Sequence, residues 1–407
     1  MLDEPLQHLQ AIIQSAASLL SSYFQQKIHF SKVIQLSEAE RRNLILRLII
    51  DNASTNMPQS IILKQTVLEN KDESESENLS RFARDWAGIE FLTQIGGHYA
   101  PIFYAGSLEY KFILIEDLGE AHPSLVGPLT RAPSPLNRQK ARTALETYIT
   151  TIGKMHADAS GKSHLFYNLL KKVYPQAELV HRLPANNIDY TLEQFKKLID
   201  IKEVDELRQE LNIIHDFVNQ PSEFYTLLHG DICPDNVYFQ GNQMRLIDFE
   251  YGNFGNALID GVFLRMCMPS CWCAKATPND ILNQMETIYR LELKNKIPLA
   301  HNDAAYFKNF VFACAYWIIR SMITLDKFDL IDHELIGNNG PLEPDSLWEP
   351  EKNASRPRIL SRLQTFISVA TECELLPHFR LATSMLLTYL EQIWSETDFL
   401  ELYPVFR

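Results

Sequence analysis

The chain has 407 residues, enough for a sizeable core and for more than one lobe. Hydrophobic residues make up 46% and charged residues 22%, the balance of an ordinary folded protein. The formal net charge of -13 gives a nucleic-acid role no electrostatic support; it would attract a cationic small molecule, although such a charge more often only aids solubility.

The first residues, Met1-Leu2-Asp3-Glu4, are not the basic start of a secretory signal. The longest apolar run, Phe310 to Ile319, is too short to span a bilayer and reads as a buried helix. No membrane association is expected. The six cysteines are Cys233, Cys267, Cys271, Cys273, Cys314 and Cys373. In a chain this long they suggest no disulfide framework, and a reducing, cytoplasmic setting is the simplest expectation. Cys267, Cys271 and Cys273 cluster, but without the paired C-x2-C spacing of a zinc site, so buried thiols are expected there.

In chain order, Leu2 to Phe24 has helical periodicity, with Leu6, Leu9, Ile13 and Leu20 on one face. Lys32 to Leu36, Leu44 to Ile50 and Ile61 to Val67 read as strands, and Lys64 lies within the third. Glu69 to Glu77 reads as a solvated loop. A helix follows, with Leu79, Phe82, Trp86, Ile89 and Leu92 on its buried side. Lys111 to Ile115 is a strand that leads into Glu116-Asp117-Leu118-Gly119. Asn137 to Asp158 is an amphipathic helix, and Leu165 to Val218 is helical with interruptions.

The stretch Leu227 to Glu250 organises the chain. Apolar residues run into His229-Gly230-Asp231, and Asn236 follows five residues after Asp231. Val237 to Phe239 is a strand, Gly241-Asn242 a tight turn, and Met244 to Ile247 the return strand, with Asp248 at its end. Such a hairpin would let Asp231, Asn236 and Asp248 converge. These residue types suit phosphoryl transfer. Asp248 can give magnesium a carboxylate and Asn236 an amide oxygen, while Asp231 can orient an attacking hydroxyl. Beyond it, Tyr251 to Asn256 is a turn-rich segment, with Ala257-Leu258-Ile259-Asp260 next. The remainder reads as helices over Ile281–Leu293, Ala304–Leu325 and Ile359–Trp394, with a long loop over Leu330–Pro357. Its acids, Asp332, Glu334, Glu343, Asp345 and Glu349, could bind an amine, although exposed acids are more often merely solvated.

His229-Gly230-Asp231, Asn236 and Ile247-Asp248-Phe249-Glu250 resemble the catalytic loop and metal motif of the aminoglycoside phosphotransferase and choline kinase-like superfamily. The resemblance implies an α+β, two-lobed, protein-kinase-like fold. A small antiparallel-sheet N-lobe would span 1–117. A larger, mostly helical C-lobe, 118–407, would carry the hairpin 227–250 and the acceptor site. It implies an ATP- and Mg2+-dependent kinase acting on a hydroxyl of a small molecule, with Asp231 as catalytic base and Asn236 and Asp248 as metal ligands. Lys64 would contact the nucleotide phosphates, with Asp85 or, one helical turn past Trp86, Glu90 as its partner. Backbone groups near Glu116 to Leu118 would read the adenine edge. His229 and Asp260 would support the catalytic loop, and His156 would be structural.

Two departures stand out. The loop Ser37–Asn43, expected over the phosphates, contains no glycine, and Asp85 stands where a Glu is usual. They support an alternative, a non-catalytic kinase-like protein that binds a ligand or partner. A protein kinase is disfavoured by the HGD motif and by the short segment after Asp248.

Overall fold

The computed structural model describes residues 4–37, 43–51, 53, 57–66, 74–119, 123–241, 243–322, 336, 340 and 342–407. The chain divides into two compact units. One comprises 1–122, 162–179 and 245–252, the other 123–161, 180–244 and 253–407. Sheet and helices together make an α+β chain.

The first unit opens with helix α1 (Glu4–Phe24), followed by strands β1 (Phe30–Gln35), β2 (Asn43–Ile50) and β3 (Ser60–Thr66). Helix α2 (Glu75–Gln94) comes next, then β4 (Phe103–Ser107) and β5 (Phe112–Glu116). Among the described residues these strands form one sheet in the order β1-β2-β3-β5-β4, antiparallel throughout. Strand side chains alternate between faces. Leu46, Leu48 and Ile50 of β2, Ile61 and Leu63 of β3, and Phe112 and Leu114 of β5 form one core with Ile12, Ala16 and Leu20 of α1. Arg47 and Lys64 occupy the intervening positions and therefore project from the opposite face. Ser74 caps α2, its hydroxyl accepting from the Glu77 amide.

The second unit is mostly helical. The Pro135–Ala159 helix packs on the Asn279–Lys294 helix, and the Asp303–Met322 helix on the Ser355–Glu372 helix. Strand β6 (Tyr225–Leu228) precedes His229-Gly230-Asp231, and β7 (Val237–Gln240) pairs with β8 (Gln243–Leu246) as a two-stranded sheet. Strand β9 (Asn253–Asn256) pairs antiparallel with β6, Leu227 opposite Phe254. The turn-rich expectation for 251–256 is therefore corrected. Glycine and asparagine disfavour strands in isolation, but here partner hydrogen bonds and full burial decide.

The expected helix Ile359–Trp394 is two helices, Ser355–Glu372 and Pro377–Ile393. The break falls where Glu374 and Leu376 take positive φ and Pro377 opens the second helix. The expected loop ends earlier than Pro357, which sits in the first turn of the Ser355–Glu372 helix, where its missing amide costs nothing. Residues 165–218 resolve into the helices Ser163–Val173, Ala185–Leu198 and Val204–Asn219. The run Phe310–Ile319 is buried within the Asp303–Met322 helix. Among the described residues no helix is long and apolar enough to cross a membrane.

Candidate active site

In the second unit, β6 is buried from Thr226 onward and delivers the chain into His229-Gly230-Asp231. Gly230 takes φ +79°, a conformation that suits glycine and turns the backbone sharply after the strand. The Asp260 carboxylate closes this turn, accepting from the amides of His229 at 2.8 Å and Gly230 at 3.3 Å. Asp260 is 1% exposed, and His156 Nε2 lies 3.4 Å from it. Burial by itself pushes the Asp260 carboxyl up. The His156 imidazole, with His181 and His229 nearby, outweighs that effect and leaves the group below its ordinary 3.8. The same helix end supports the loop elsewhere: Thr226 Oγ1 donates to the His156 carbonyl at 2.6 Å, and Tyr148 Oη to the Ile232 carbonyl at 2.6 Å.

Asp231 is half-buried. Asn236, from the short 3-10 turn Pro234–Asn236, donates Nδ2 to the Asp231 carbonyl at 2.9 Å and to Asp231 Oδ2 at 3.2 Å. Its amide oxygen is thereby turned away from Asp231. Ser270 Oγ donates to Asp231 Oδ1 at 2.6 Å. Ser270 escaped the sequence reading because it lies 39 residues from Asp231 in a segment without a motif.

In the first unit, Lys64 Nζ is held between Asp85 Oδ2 at 2.8 Å and Asp248 Oδ1 at 2.5 Å. Asp85 Oδ1 accepts from the Phe249 amide at 2.7 Å, so one carboxylate fixes both the lysine and the start of the Phe249–Tyr251 turn. Glu90 instead accepts from Trp86 Nε1 at 2.6 Å and Gln94 Nε2 at 3.1 Å. Asp248 sits at φ +71°, ψ +64°, a region that non-glycine residues visit rarely and that aspartate tolerates better than most. Gly88 lets α2 approach: a Cβ there would fall 2.8 Å from Phe249 Cβ.

Charges in this group are strongly coupled. Burial would lower the Lys64 ammonium, but Asp248, Asp85 and Glu250 outweigh it and hold the group above its ordinary range. Burial, joined by the Asp248 charge, raises the Asp85 carboxyl against the opposing pull of Lys64 and the Phe249 amide. Two carboxylates share one buried cation. Glu250 lies 3.4 Å from Arg81, and Arg84 donates to its carbonyl at 2.6 Å. A small polar pocket beside the cluster is lined by Asn43, Lys64, Thr66, Asn78, Arg81 and Glu250, among others.

Glu116 ends β5, and its side chain accepts from the Ile102 amide at 3.2 Å. The segment through Leu118 is pinned by a pair that the sequence reading missed. Arg47 Nε meets Asp117 at 2.6 Å and its Nη2 reaches the Gly119 carbonyl at 2.6 Å, while Ser60 Oγ donates to Asp117 at 2.6 Å. An arginine inside the apolar run of β2 was the available signal, of the same kind as Lys64 in β3. Of the glycine-free loop, 38–42 lie outside the described residues, as do Asn242, Asp332 and Glu334. The acids offered for an amine at Glu343 and Asp345 pair with Arg131 at 2.5 and 3.3 Å, and Glu349 pairs with Lys352 and Arg407 at 2.9 and 3.2 Å.

The expectation of unlinked thiols is corrected at one pair. Cys233 and Cys271, 38 residues apart, are joined in a disulfide with their Cα atoms 5.3 Å apart. Sequence spacing could not reveal it, because only the fold brings the 266–273 segment against the loop that carries Asp231 and Asn236. Joined in this way, Cys233 has no proton to offer Asp231, whose Oδ1 lies 3.1 Å from its sulfur. Cys267, Cys273 and Cys314 are buried free thiols.

A model of the phosphotransferase enzyme family (APH) matches residues 40–286. Comparison with curated proteins gave no match. Among solved structures, the chain is similar to a choline/ethanolamine kinase family protein from Mesorhizobium loti, with 11% identity over 93% of this chain and 99% of that one and a TM-score of 0.43. It is also similar to a choline kinase from Cryptosporidium parvum Iowa II, with 12% identity, coverage of 95% and 96%, and a TM-score of 0.44. A macrolide 2'-phosphotransferase from Brachybacterium faecium gives 11% identity, coverage of 79% and 99%, and a TM-score of 0.40.

Proposed function

This chain belongs to the phosphotransferase enzyme family, and from that premise we propose that it is a kinase that transfers the terminal phosphate of ATP to a hydroxyl of a small molecule. Residues 1–117 would serve the nucleotide, and 118–407 would carry the hairpin 227–250 and the acceptor. The attacking hydroxyl oxygen forms a bond to the γ-phosphorus as the bond to the bridging oxygen of ADP breaks. Asp231 orients that hydroxyl and accepts its proton late. Lys64 neutralises phosphate charge, and backbone groups near Glu116 and Leu118 receive the adenine edge. Asp231 is held by Asn236 and Lys64 by Asp85, which supports a catalysis that rests on positioning and electrostatics.

Asp248 and Asn236 offer a carboxylate and an amide oxygen, the hard donors that suit magnesium, and these are the residues that would hold it. When bound, the ion would supply charge neutralisation on the phosphate oxygens. The acceptor is a hydroxylated compound, with a cationic one favoured only by the net charge of -13. A cytoplasmic setting suits an ATP-dependent enzyme; a disulfide there is usually of the transient kind.

The observation that supports this reading best is the Lys64 cluster. A buried cation shared by two acids is costly for a sheet that needs only a core, and such clusters concentrate at functional sites. A thermal shift with ATP, GTP and ADP, each with and without magnesium, tests it on wild type and Asp248→Asn. A magnesium-dependent rise in Tm with ATP that is lost in Asp248→Asn supports the reading. The absence of any shift at millimolar nucleotide would sink it.

A further inference from the structure

We propose that Ser270 is a positioning residue for Asp231 and that the turn 266–273 is a platform built to present it. The inference rests on the assignment of Asp231 as the group that orients the hydroxyl.

The carboxylate of Asp231 is held at both oxygens. Asn236 reaches Oδ2 at 3.2 Å from within the catalytic loop, and Ser270 Oγ donates to Oδ1 at 2.6 Å from outside it. A serine on an exposed, loose turn would make such a contact only in passing. This turn is not loose. Cys267 and Met268 take φ +56° and +45°, a conformation that side-chain-bearing residues avoid and that persists only where the surroundings enforce it.

Two arginines of the Ser355–Glu372 helix enforce it. Arg358 donates to the carbonyls of Cys271 and Trp272, each at 2.5 Å, and to the Asn353 amide oxygen. Arg362 donates to the carbonyls of Met266 at 3.1 Å and Pro269 at 2.9 Å. Asn353 adds a bond to the Trp272 carbonyl at 2.8 Å, and Tyr403 Oη one to the Cys273 carbonyl at 3.0 Å. Both arginines are buried, 4% and 8% exposed, and burial pushes each guanidinium down to about 10. Among the described residues the hydrogen-bond partners of both arginines are carbonyl and amide oxygens, none of them a carboxylate. Burying two cations on those terms is costly, and a plain chain reversal would not call for it.

The turn is also fastened to the catalytic loop on the far side of Ser270. Cys271 is joined to Cys233, two residues past Asp231, and Trp272 Nε1 donates to Asp235 Oδ2 at 2.8 Å. The backbone on both sides of Ser270 is thus fixed, and the hydroxyl is delivered at a set place. A carboxylate that must meet a hydroxyl in one geometry gains from having its rotation stopped by neighbours that are themselves locked. Ser270 acts through Asp231, so its removal lowers turnover and leaves nucleotide affinity alone.

The test uses the full chain, MgATP as substrate and water as the acceptor, with inorganic phosphate release as the readout. Ser270→Ala is expected to lower kcat about tenfold, the lower end for a hydrogen bond to a charged group because the serine is exposed. KM for ATP and Tm should not move. Ser270→Thr keeps the hydroxyl and should restore the rate. A wild-type kcat in Ser270→Ala overturns the proposal. So does a Ser270→Thr enzyme as slow as Ser270→Ala, which would assign the effect to packing of the turn. Asp231→Asn, run alongside, separates the two claims. If it releases phosphate at the wild-type rate, the assignment of Asp231 fails and the role of Ser270 falls with it. If it stops release while Ser270→Ala does not slow it, only the positioning role is lost.

Discussion

Replacing Asp85 should loosen the first unit by an amount that can be worked out contact by contact. Its carboxylate meets Lys64 Nζ at 2.8 Å and accepts from the Phe249 amide at 2.7 Å, at a position 4% exposed. Removing one partner of a buried ion pair costs about 3–5 kcal/mol when the other is left alone. Lys64 keeps Asp248, whose side chain is 31% exposed, so the charge component falls to about 2 kcal/mol. Leaving the Phe249 amide without an acceptor adds about 1–2 kcal/mol. Asp85→Ala loses both contacts and should cost about 3–4 kcal/mol. Asp85→Asn keeps an oxygen for the Phe249 amide and should cost about 2 kcal/mol. Amide hydrogen exchange of the peptides covering β3 and α2 reads this directly, and about 2 kcal/mol appears as roughly a thirtyfold loss of protection. Equal losses in the two variants would refute the role of the Phe249 hydrogen bond. Losses below about 0.5 kcal/mol in both would refute the coupling itself.

Three further outcomes are expected. The Asp260 carboxyl lies below its ordinary 3.8, so its contribution to stability is present above that value and is lost as pH falls through the lower folded value. The Tm deficit of Asp260→Asn against wild type should therefore be full at pH 7 and shrink below about pH 4; a deficit constant with pH would contradict it. Arg358→Met removes the Arg358 donor from the Cys271 carbonyl and leaves the Trp272 carbonyl with Asn353 as donor, and should lower urea stability by about 2–4 kcal/mol with phosphate release falling further than in Ser270→Ala; normal stability would show that the turn does not depend on this arginine. Reduction of the Cys233–Cys271 disulfide should slow phosphate release without changing nucleotide-induced thermal shifts, and dithiothreitol titration with free-thiol counting checks it.

The parts of this molecule legible in the sequence are those fixed by local pattern. The apolar runs of β2 and β3 marked both strands and put Lys64 inside the second of them. The HGD-x4-N spacing singled out Asp231 and Asn236, and the two side chains meet at 3.2 Å. Long-range pairing was not legible. Asn253–Asn256 becomes a strand only because β6 lies beside it, and Ser270 matters only because the chain returns to Asp231 after 39 residues. The Cys233–Cys271 link and the two arginines that hold Met266 to Trp272 belong to the same class. Asp85 and Glu90 lie about a turn and a half apart along α2, and periodicity alone could not choose between them; the Trp86 indole engages Glu90 and the Lys64 ammonium meets Asp85.

The most direct test of the central assignment follows the label from γ-32P-ATP into a panel of hydroxylated amines, sugars and amino-alcohols, with wild type and Asp231→Asn side by side. Label should pass to at least one compound with wild type and magnesium, and to none with Asp231→Asn, while both proteins show the same nucleotide-induced thermal shift. Transfer that persists in Asp231→Asn at the wild-type rate would contradict the assignment of Asp231 as the residue that orients the attacking hydroxyl.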